Sequence, residues 1–246
     1  MNTRSFVAMV LVVGGALWFP RSAKACGCAG TSPSPVAYRH SAAVFVGRVI
    51  STVTPPPRMW TNADGSVSVS VTPSGPTIVT FEVRRVFRGS FRQEAVLQAG
   101  DTTCDFGFAQ SEIWLIYAIE EQGVLRTHKC LRTRVVSEAP QDLKYLEGLL
   151  EGRAQAVLSG NVFERTTKPD GAPAHGSLFE TLDVVANGDG QSFRVRTDRW
   201  GPYQLVLPPG EFEVWVERAG RRVTPTSKIR VRNGDEQTLT LTAELR

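Results

Sequence analysis

Short apolar runs, rich in β-branched and aromatic residues and separated by polar or turn residues, recur along most of the chain. In the first half, runs rich in Val, Ile and Phe predict strands at residues 43–53, 78–86, 95–97, 113–119 and 124–127. Gly47 interrupts the first run, and this glycine predicts a β-bulge. Five short strands followed by a helix favour a small β-barrel, closed or partly open.

Two helices are predicted beside these strands. The first runs from Ser34 to Ala42, with Ser34 as its N-cap and Pro35 in the first turn. The second runs from Pro140 to Leu150. Its leucines recur at spacings of three and four, which predicts one buried face made of Leu143, Leu146, Leu149 and Leu150.

The segment from Thr54 to Pro76 has a different character. It contains three consecutive prolines, an Asn62-Ala63-Asp64-Gly65 sequence and a Val/Ser alternation that begins at Val67. This pattern predicts an excursion between two strands, either a protruding hairpin with its turn at Asp64-Gly65 or a disordered loop.

The second half predicts another β-structure. Its strands are expected at residues 157–163, 182–186, 192–197, 203–207, 211–217, 228–232 and 238–245. Turn residues such as Asn187-Gly188, Pro209-Gly210 and Asn233-Gly234 separate them, which favours a seven-stranded antiparallel β-sandwich. The chain is therefore predicted to be mainly β, with one domain at 26–152 and another at 156–246.

Residues 1–25 have the three parts of a secretory signal peptide. Arg4 supplies the positive start, Phe6 to Trp18 is apolar, and Ala23-Lys24-Ala25 ends in a small-residue cleavage site. No second hydrophobic stretch of about 20 residues follows, so no transmembrane segment is predicted. The expected location is secreted, periplasmic or in the cell envelope. Lipid attachment at Cys26 is an alternative, which Ala23 and Lys24 disfavour.

Charge and motifs exclude several functions. The formal net charge is +4, but Arg4, Arg21 and Lys24 leave with the leader, so the mature chain is nearly neutral and nucleic acid is not an expected partner. Three histidines stand far apart, and the chain has no His-Glu-x-x-His, nucleophile-elbow or phosphate-loop motif. We therefore predict no enzyme, no catalytic residues, no intrinsic metal site and no cofactor.

The four cysteines are Cys26, Cys28, Cys104 and Cys130. An even number in an exported chain indicates two disulfides, and the sequence permits three pairings. Cleavage after Ala25 would leave a free α-amino group on Cys26. That amine has an ordinary pKa near about 8, and together with the adjacent carbonyl it can chelate a metal ion.

The first domain resembles the netrin-like domains of the tissue inhibitors of metalloproteinases, especially their bacterial relatives. The resemblance covers roughly Cys26 to Leu150. It rests on Cys26-Gly27-Cys28, the segment 43–49, Phe81-Glu82-Val83, the segment 86–89, Cys104 before Phe106-Gly107, the segment 114–118, and Cys130 followed by Arg132-Thr133.

This resemblance implies an OB-type five-stranded barrel with flanking helices and the disulfides Cys26–Cys104 and Cys28–Cys130. It further implies that the amine and carbonyl of Cys26 chelate the catalytic zinc of a metalloprotease, with Gly27 and Cys28 in the contact ridge. Inhibitory members have Thr or Ser where this chain has Gly27, so a smaller contact with the specificity pocket is implied. The segment 54–76 falls where the family has a loop that can touch a protease.

The second domain resembles carboxypeptidase regulatory-like and transthyretin-like sandwiches. The residues involved are Gly160-Asn161-Val162, Thr197-Asp198, Gly201-Pro202-Tyr203, Leu207-Pro208-Pro209-Gly210 and Phe212-Glu213-Val214. Such domains are usually spacers or adhesion units. Two hypotheses follow: a secreted, non-enzymatic binding protein that inhibits a zinc metalloprotease, or an extracellular or envelope structural and adhesion module. The oligomeric state is left open.

Overall fold

A computed structural model describes residues 32–99, 106–178 and 180–245. The first half contains two helices, eight strands and a 3-10 turn at Val136–Glu138 within these described ranges. In chain order the elements are α1 (Ser34–His40), β1 (Ala43–Val53), β2 (Pro57–Thr61), β3 (Val67–Pro73), β4 (Thr77–Arg88), β5 (Glu94–Ala99), β6 (Ile113–Glu121), β7 (Val124–Thr127), β8 (Arg134–Val135) and α2 (Pro140–Leu150).

Five of these strands close into a barrel. The pairing order is β1-β4-β5-β7-β6 and back to β1, and only the β5–β7 pair is parallel. This is the strand order of an OB-fold, so the predicted barrel is confirmed. Its interior is filled by alternating side chains of the strands, including Phe45, Phe81, Leu97 and Ile116.

Gly47 lies at a bulge, as predicted. The register between β1 and β4 shifts between Val46 and Gly47. A Cβ at this position would come within 3.0 Å of both Phe45 and Phe81. The glycine therefore lets the strand bend tightly around the aromatic core of the barrel.

The second half is a sandwich of two five-stranded sheets. Its strands are β9 (Ala156–Thr167), β10 (Pro173–Gly176), β11 (Asp183–Gly188), β12 (Gln191–Arg196), β13 (Pro202–Leu207), β14 (Gly210–Arg218), β15 (Arg221–Arg222), β16 (Ser227–Val231), β17 (Glu236–Thr238) and β18 (Leu241–Ala243). One sheet contains β9, β10, β13, β17 and β18, and the other contains the remaining five. Side chains of both sheets share one apolar core.

Six of the seven predicted strands of the sandwich are present as single strands, and the seventh is divided. The short strands β10 and β15 are additional, and the run predicted at 238–245 is instead the two strands β17 and β18. Both run parallel to β9, whereas the other pairs in the sandwich are antiparallel. The break between them falls where the Leu239 carbonyl oxygen lies against Gly160, at 2.0 Å from where a Cβ would be.

Two local predictions about turns and caps were wrong. Pro33, not Ser34, is the N-cap of α1, which ends at His40. The Ser34 hydroxyl is not available for capping because it donates to Asp142. The turn after β11 is Asp189-Gly190, since Gly188 is still paired with Gln191 in the ladder.

The bounds of α2 are those predicted, but its buried face differs from the leucine face. Leu149 and Leu150 are exposed, whereas Asp142, Tyr145 and Leu146 are buried. The helix packs between the barrel and the sandwich, so two different surfaces cover it. A single apolar stripe in the sequence does not describe such a helix.

The barrel, α2 and the sandwich meet in a second apolar cluster. Leu115 and Tyr117 from β6 pack there with Leu146 from α2 and with Val157 and Val206 from the sandwich. Strand β13 is therefore buried on both faces: Leu205 and Leu207 face the sandwich core, while Val206 faces α2. The assignment of 26–152 and 156–246 as separate domains remains a prediction.

Candidate functional site

The predicted site residues Cys26, Gly27 and Cys28 lie outside the described residues, as does Cys104. Cys130 is described and is disulfide-bonded. Its partner is not among the described residues, so the pairings Cys26–Cys104 and Cys28–Cys130 remain predictions. What the structure does describe is how the chain that follows Cys28 is held.

Ser32 and Ser34 are anchored to the barrel by a buried ion pair. Arg132 Nη1 donates to the Ser32 carbonyl oxygen at 2.7 Å, and Arg132 Nε bonds Asp142 Oδ1. The Ser34 hydroxyl donates to the same carboxylate oxygen at 2.5 Å. The start of the described chain is thus tied at two points to one buried carboxylate and its arginine.

The environment of this ion pair excludes water. Asp142 is 1% exposed and Arg132 is 7% exposed. The Tyr117 hydroxyl also donates to Asp142 Oδ1, at 3.3 Å, and Arg134 lies on the other side of the carboxylate. A buried pair of this kind costs free energy to desolvate, and losing one partner leaves an uncompensated charge.

Burial changes the pKa values of two neighbours of Asp142. The pKa of Tyr117 is raised well above its usual value, first by burial and then by the negative charge of Asp142. The hydroxyl consequently stays protonated and remains a donor. Burial lowers the pKa of Arg134, and the nearby Asp142 carboxylate opposes this change.

The sandwich contributes a third anchor to the segment 32–34, and it acts on Ser34. On β13, the Gln204 side chain accepts a hydrogen bond from the Ser34 amide at 2.8 Å through Oε1. Its Nε2 donates to the Ser34 hydroxyl oxygen at 2.6 Å. Backbone and side chain of one serine are therefore both fixed by a residue of the other half of the molecule.

The segment after Cys130 is secured in the same region. The Thr133 hydroxyl accepts from the Tyr117 amide at 2.8 Å and lies 3.0 Å from the Tyr117 carbonyl oxygen. Thr127 contacts the same carbonyl and lies 2.8 Å from the Thr133 hydroxyl. Cys130 lies in the loop that precedes Arg132 and Thr133. Thr133 bonds this loop to β6, and Arg132 bonds it to Ser32.

Asp142 and Gln204 were not singled out in the sequence. Asp142 lies in a helix whose buried face was assigned from leucines, and Gln204 lies in a strand with apolar neighbours. The one signal in the sequence was that each is a polar residue inside an apolar run. That signal could not identify Ser34 as the partner of Gln204, because the two residues are 170 positions apart.

The segment 54–76 forms the protruding hairpin β2–β3, with its turn at Asp64-Gly65 as predicted. The Asn62 amide donates to Ser66 O at 2.8 Å across this turn. Met59 is opposite Val69. Met59 is 69% exposed and Val69 is 54% exposed.

Trp60 is 51% exposed on the opposite face of this hairpin. The hairpin therefore offers apolar contact area on both faces.

The three histidines lie in separate parts of the described ranges. His40 ends α1, His128 follows β7, and His175 lies on β10. Within the described residues, no three His, Cys, Asp or Glu side chains are grouped so that they could hold a metal ion. None of the helices in those ranges has the length and hydropathy to span a membrane.

The chain matches no protein-family model and no curated protein. Among solved structures it is similar to the Bacillus anthracis TIE protein, with 11% sequence identity and a TM-score of 0.28. The match covers 83% of this chain and 35% of that chain, so this chain spans about a third of that protein's length. A likeness at this TM-score supports no conclusion on fold or function. The class of the protein, an OB-type barrel packed against a β-sandwich, rests on strand pairing.

Proposed function

We propose that this is an exported, non-enzymatic binding protein that presents Cys26-Gly27-Cys28 to a zinc metalloprotease. After removal of residues 1–25, the α-amine and carbonyl of Cys26 would bind the zinc of the protease in its open coordination position. This role is the one implied by the resemblance of residues 26–150 to the tissue inhibitors of metalloproteinases. The chain itself supplies no metal.

The observation that carries the proposal is the anchoring of Ser32 by Arg132. Ser32 comes four residues after Cys28 in the sequence, so this anchor acts close in the chain to the proposed contact residues. A disulfide at Cys130 and the bond from Arg132 to Ser32 act within the same small region. Fixing the chain at Ser32 favours tight binding, because less conformational freedom remains to be lost in a complex.

Two features set the expected strength of the interaction. Gly27 has no side chain to place in a specificity pocket, so inhibition should be weaker than that of a chain with Thr at this position. The hairpin β2–β3 can compensate in part, because Met59, Trp60 and Val69 offer exposed apolar area for a second contact. Exposed apolar groups of this kind are common at protein interfaces.

The decisive experiment compares two forms of the mature protein against a panel of zinc proteases. One form begins at Cys26, and the other retains Ala25. The retained alanine converts the α-amine of Cys26 into an amide, which no longer has a lone pair for zinc. Inhibition by the first form alone is the expected result. Equal and negligible inhibition by both forms would reject the proposal and favour the structural and adhesion alternative.

A Gly27→Thr variant tests the contact ridge separately. Restoring a side chain should strengthen inhibition in the form that begins at Cys26 and should have no effect when Ala25 is retained. If Gly27→Thr alters both forms alike, the ridge does not enter the specificity pocket.

A further inference from the structure

We propose that the β-sandwich positions residues 32–34, the N-terminal segment of the described barrel, with Gln204 as the positioning residue. The usual interpretation of such a sandwich is a spacer, which would leave the barrel independent of it. The inference rests on the proposed function in one respect: the positioned segment is the one that follows Cys26 and Cys28. The hydrogen bonds and the ion pair that support this inference are all made between described residues.

Gln204 makes two hydrogen bonds to Ser34. Both polar atoms of its side chain are used, one for the Ser34 amide and one for the Ser34 hydroxyl. Gln204 is 6% exposed, so water does not compete for these bonds. Because the Ser34 hydroxyl also donates to Asp142, the serine connects the sandwich to the buried Arg132–Asp142 pair.

The position of Gln204 is itself fixed by α2. Gln141 Oε1 accepts from the Val206 amide at 3.1 Å, and Lys144 Nζ donates to the Val206 carbonyl oxygen at 2.7 Å. Val206 is two residues after Gln204 on β13, so both side chains point to the same face. The helix thereby sets the register of β13 against the barrel.

An ion pair also joins the same two parts of the molecule. Arg39 at the end of α1 pairs with Glu236 on β17, with Arg39 Nη2 at 3.1 Å from Glu236 Oε2. Helix α1 is therefore held by the sandwich at its first residue through Gln204 and near its last residue through Glu236. The chain that enters α1 has its direction fixed at this point.

The test uses the full mature protein and the substitution Gln204→Met. Methionine has a similar length but makes neither hydrogen bond. The matched control is Gln237→Met, because Gln237 Nε2 also donates to a backbone carbonyl, that of Arg230 at 2.7 Å, but within the sandwich. Amide hydrogen exchange followed by mass spectrometry reports on residues 32–40, which include the Ser34 amide, and on the rest of the chain in the same sample.

Gln204→Met should speed exchange in residues 32–40 by about tenfold or more relative to the wild type, because the two hydrogen bonds to Ser34 no longer oppose local opening. Gln237→Met should leave exchange in that segment unchanged. Equal exchange in the two variants, or a uniform increase over the whole chain, would overturn the proposal. The second result would assign Gln204 a general structural role.

If Gln204→Met does not fold, Ser34→Ala is the second variant: it removes the bond from Gln204 Nε2 together with the bond to Asp142, and it keeps the amide bond to Gln204 Oε1. The exchange experiment contains no protease, so its outcome does not depend on whether the protein inhibits one. Where the form that begins at Cys26 does inhibit, Gln204→Met should raise the inhibition constant by about tenfold while Gln237→Met does not. An unchanged constant beside faster exchange would show that positioning occurs but that the positioned segment is not the inhibitory one.

Discussion

Arg132 and Asp142, ten residues apart in the chain, form an ion pair that is buried between the barrel, α2 and the N-terminal segment. Each partner also holds that segment: Arg132 binds the Ser32 carbonyl, and Asp142 accepts from the Ser34 hydroxyl. The pair therefore serves both stability and placement. Replacing one partner measures how much the ion pair contributes to the free energy of unfolding.

Replacing Asp142 by Asn should destabilise the protein by about 3–5 kcal/mol, because Arg132 would remain buried without its counter-charge. Urea unfolding followed by circular dichroism measures this change. The control is Glu147→Gln on the same helix, which removes a carboxylate from the exposed ion pair with Arg85. That change should cost less than about 1 kcal/mol. Similar losses in both variants would contradict the role given to burial.

Stability should fall as the pH rises from about 10 to about 12. Burial raises the pKa of Tyr145 to about 12, and Glu236 adds to this effect. Since the folded state holds the proton more tightly than the unfolded state, the contribution of Tyr145 is fully present below the unfolded pKa of about 10 and is lost above it. Buried Tyr117 and Tyr203, whose pKa values are also raised, act in the same direction.

The variant Tyr145→Phe isolates this contribution. Its unfolding free energy should decline less steeply than that of the wild type over the same pH range, as measured by urea unfolding at a series of alkaline pH values. An identical slope in the variant would exclude Tyr145 as a source of the alkaline instability.

The apolar residues of the β2–β3 hairpin should contribute little to folding. Val69→Ala, at a half-exposed position, is expected to change the unfolding free energy by less than about 0.5 kcal/mol. Val79→Ala, at a fully buried position of β4, should cost about 2 kcal/mol. Thermal and urea unfolding of both variants provide the comparison. A large loss in Val69→Ala would mean that the hairpin packs on the fold rather than being free for a partner.

The mass of the exported protein tests how the chain is processed. We expect residues 1–25 to be absent, no acyl group on Cys26, and a mass lower by four hydrogens than that of the reduced chain, as two disulfides require. Peptide mapping without reduction should give the pairs Cys26–Cys104 and Cys28–Cys130. A lipid adduct at Cys26 or a chain that retains the leader would remove the free α-amine on which zinc binding depends.

Much of the secondary structure was predictable because strand and helix patterns are local. Runs of β-branched and aromatic residues indicated the five barrel strands, and the proline at residue 140 together with the leucines of α2 indicated the bounds of that helix. The Asp64-Gly65 pair likewise located the hairpin turn, since a turn depends on residues close together in the chain. These features did not need information on distant partners.

The tertiary structure alone decided which polar residues are buried and with whom. Ser34 follows the pattern of a helix cap, yet its hydroxyl is bound to Asp142 and Gln204. Leu149 fits a buried helical stripe, yet it is exposed because the sandwich and barrel cover other sides of α2. Strand β18 runs parallel to β9, which no local pattern encodes. The bonding of Ser34, the exposure of Leu149 and the direction of β18 all depend on contacts between segments far apart in the chain. The spacing of hydrophobic residues within one segment carries no information on those contacts.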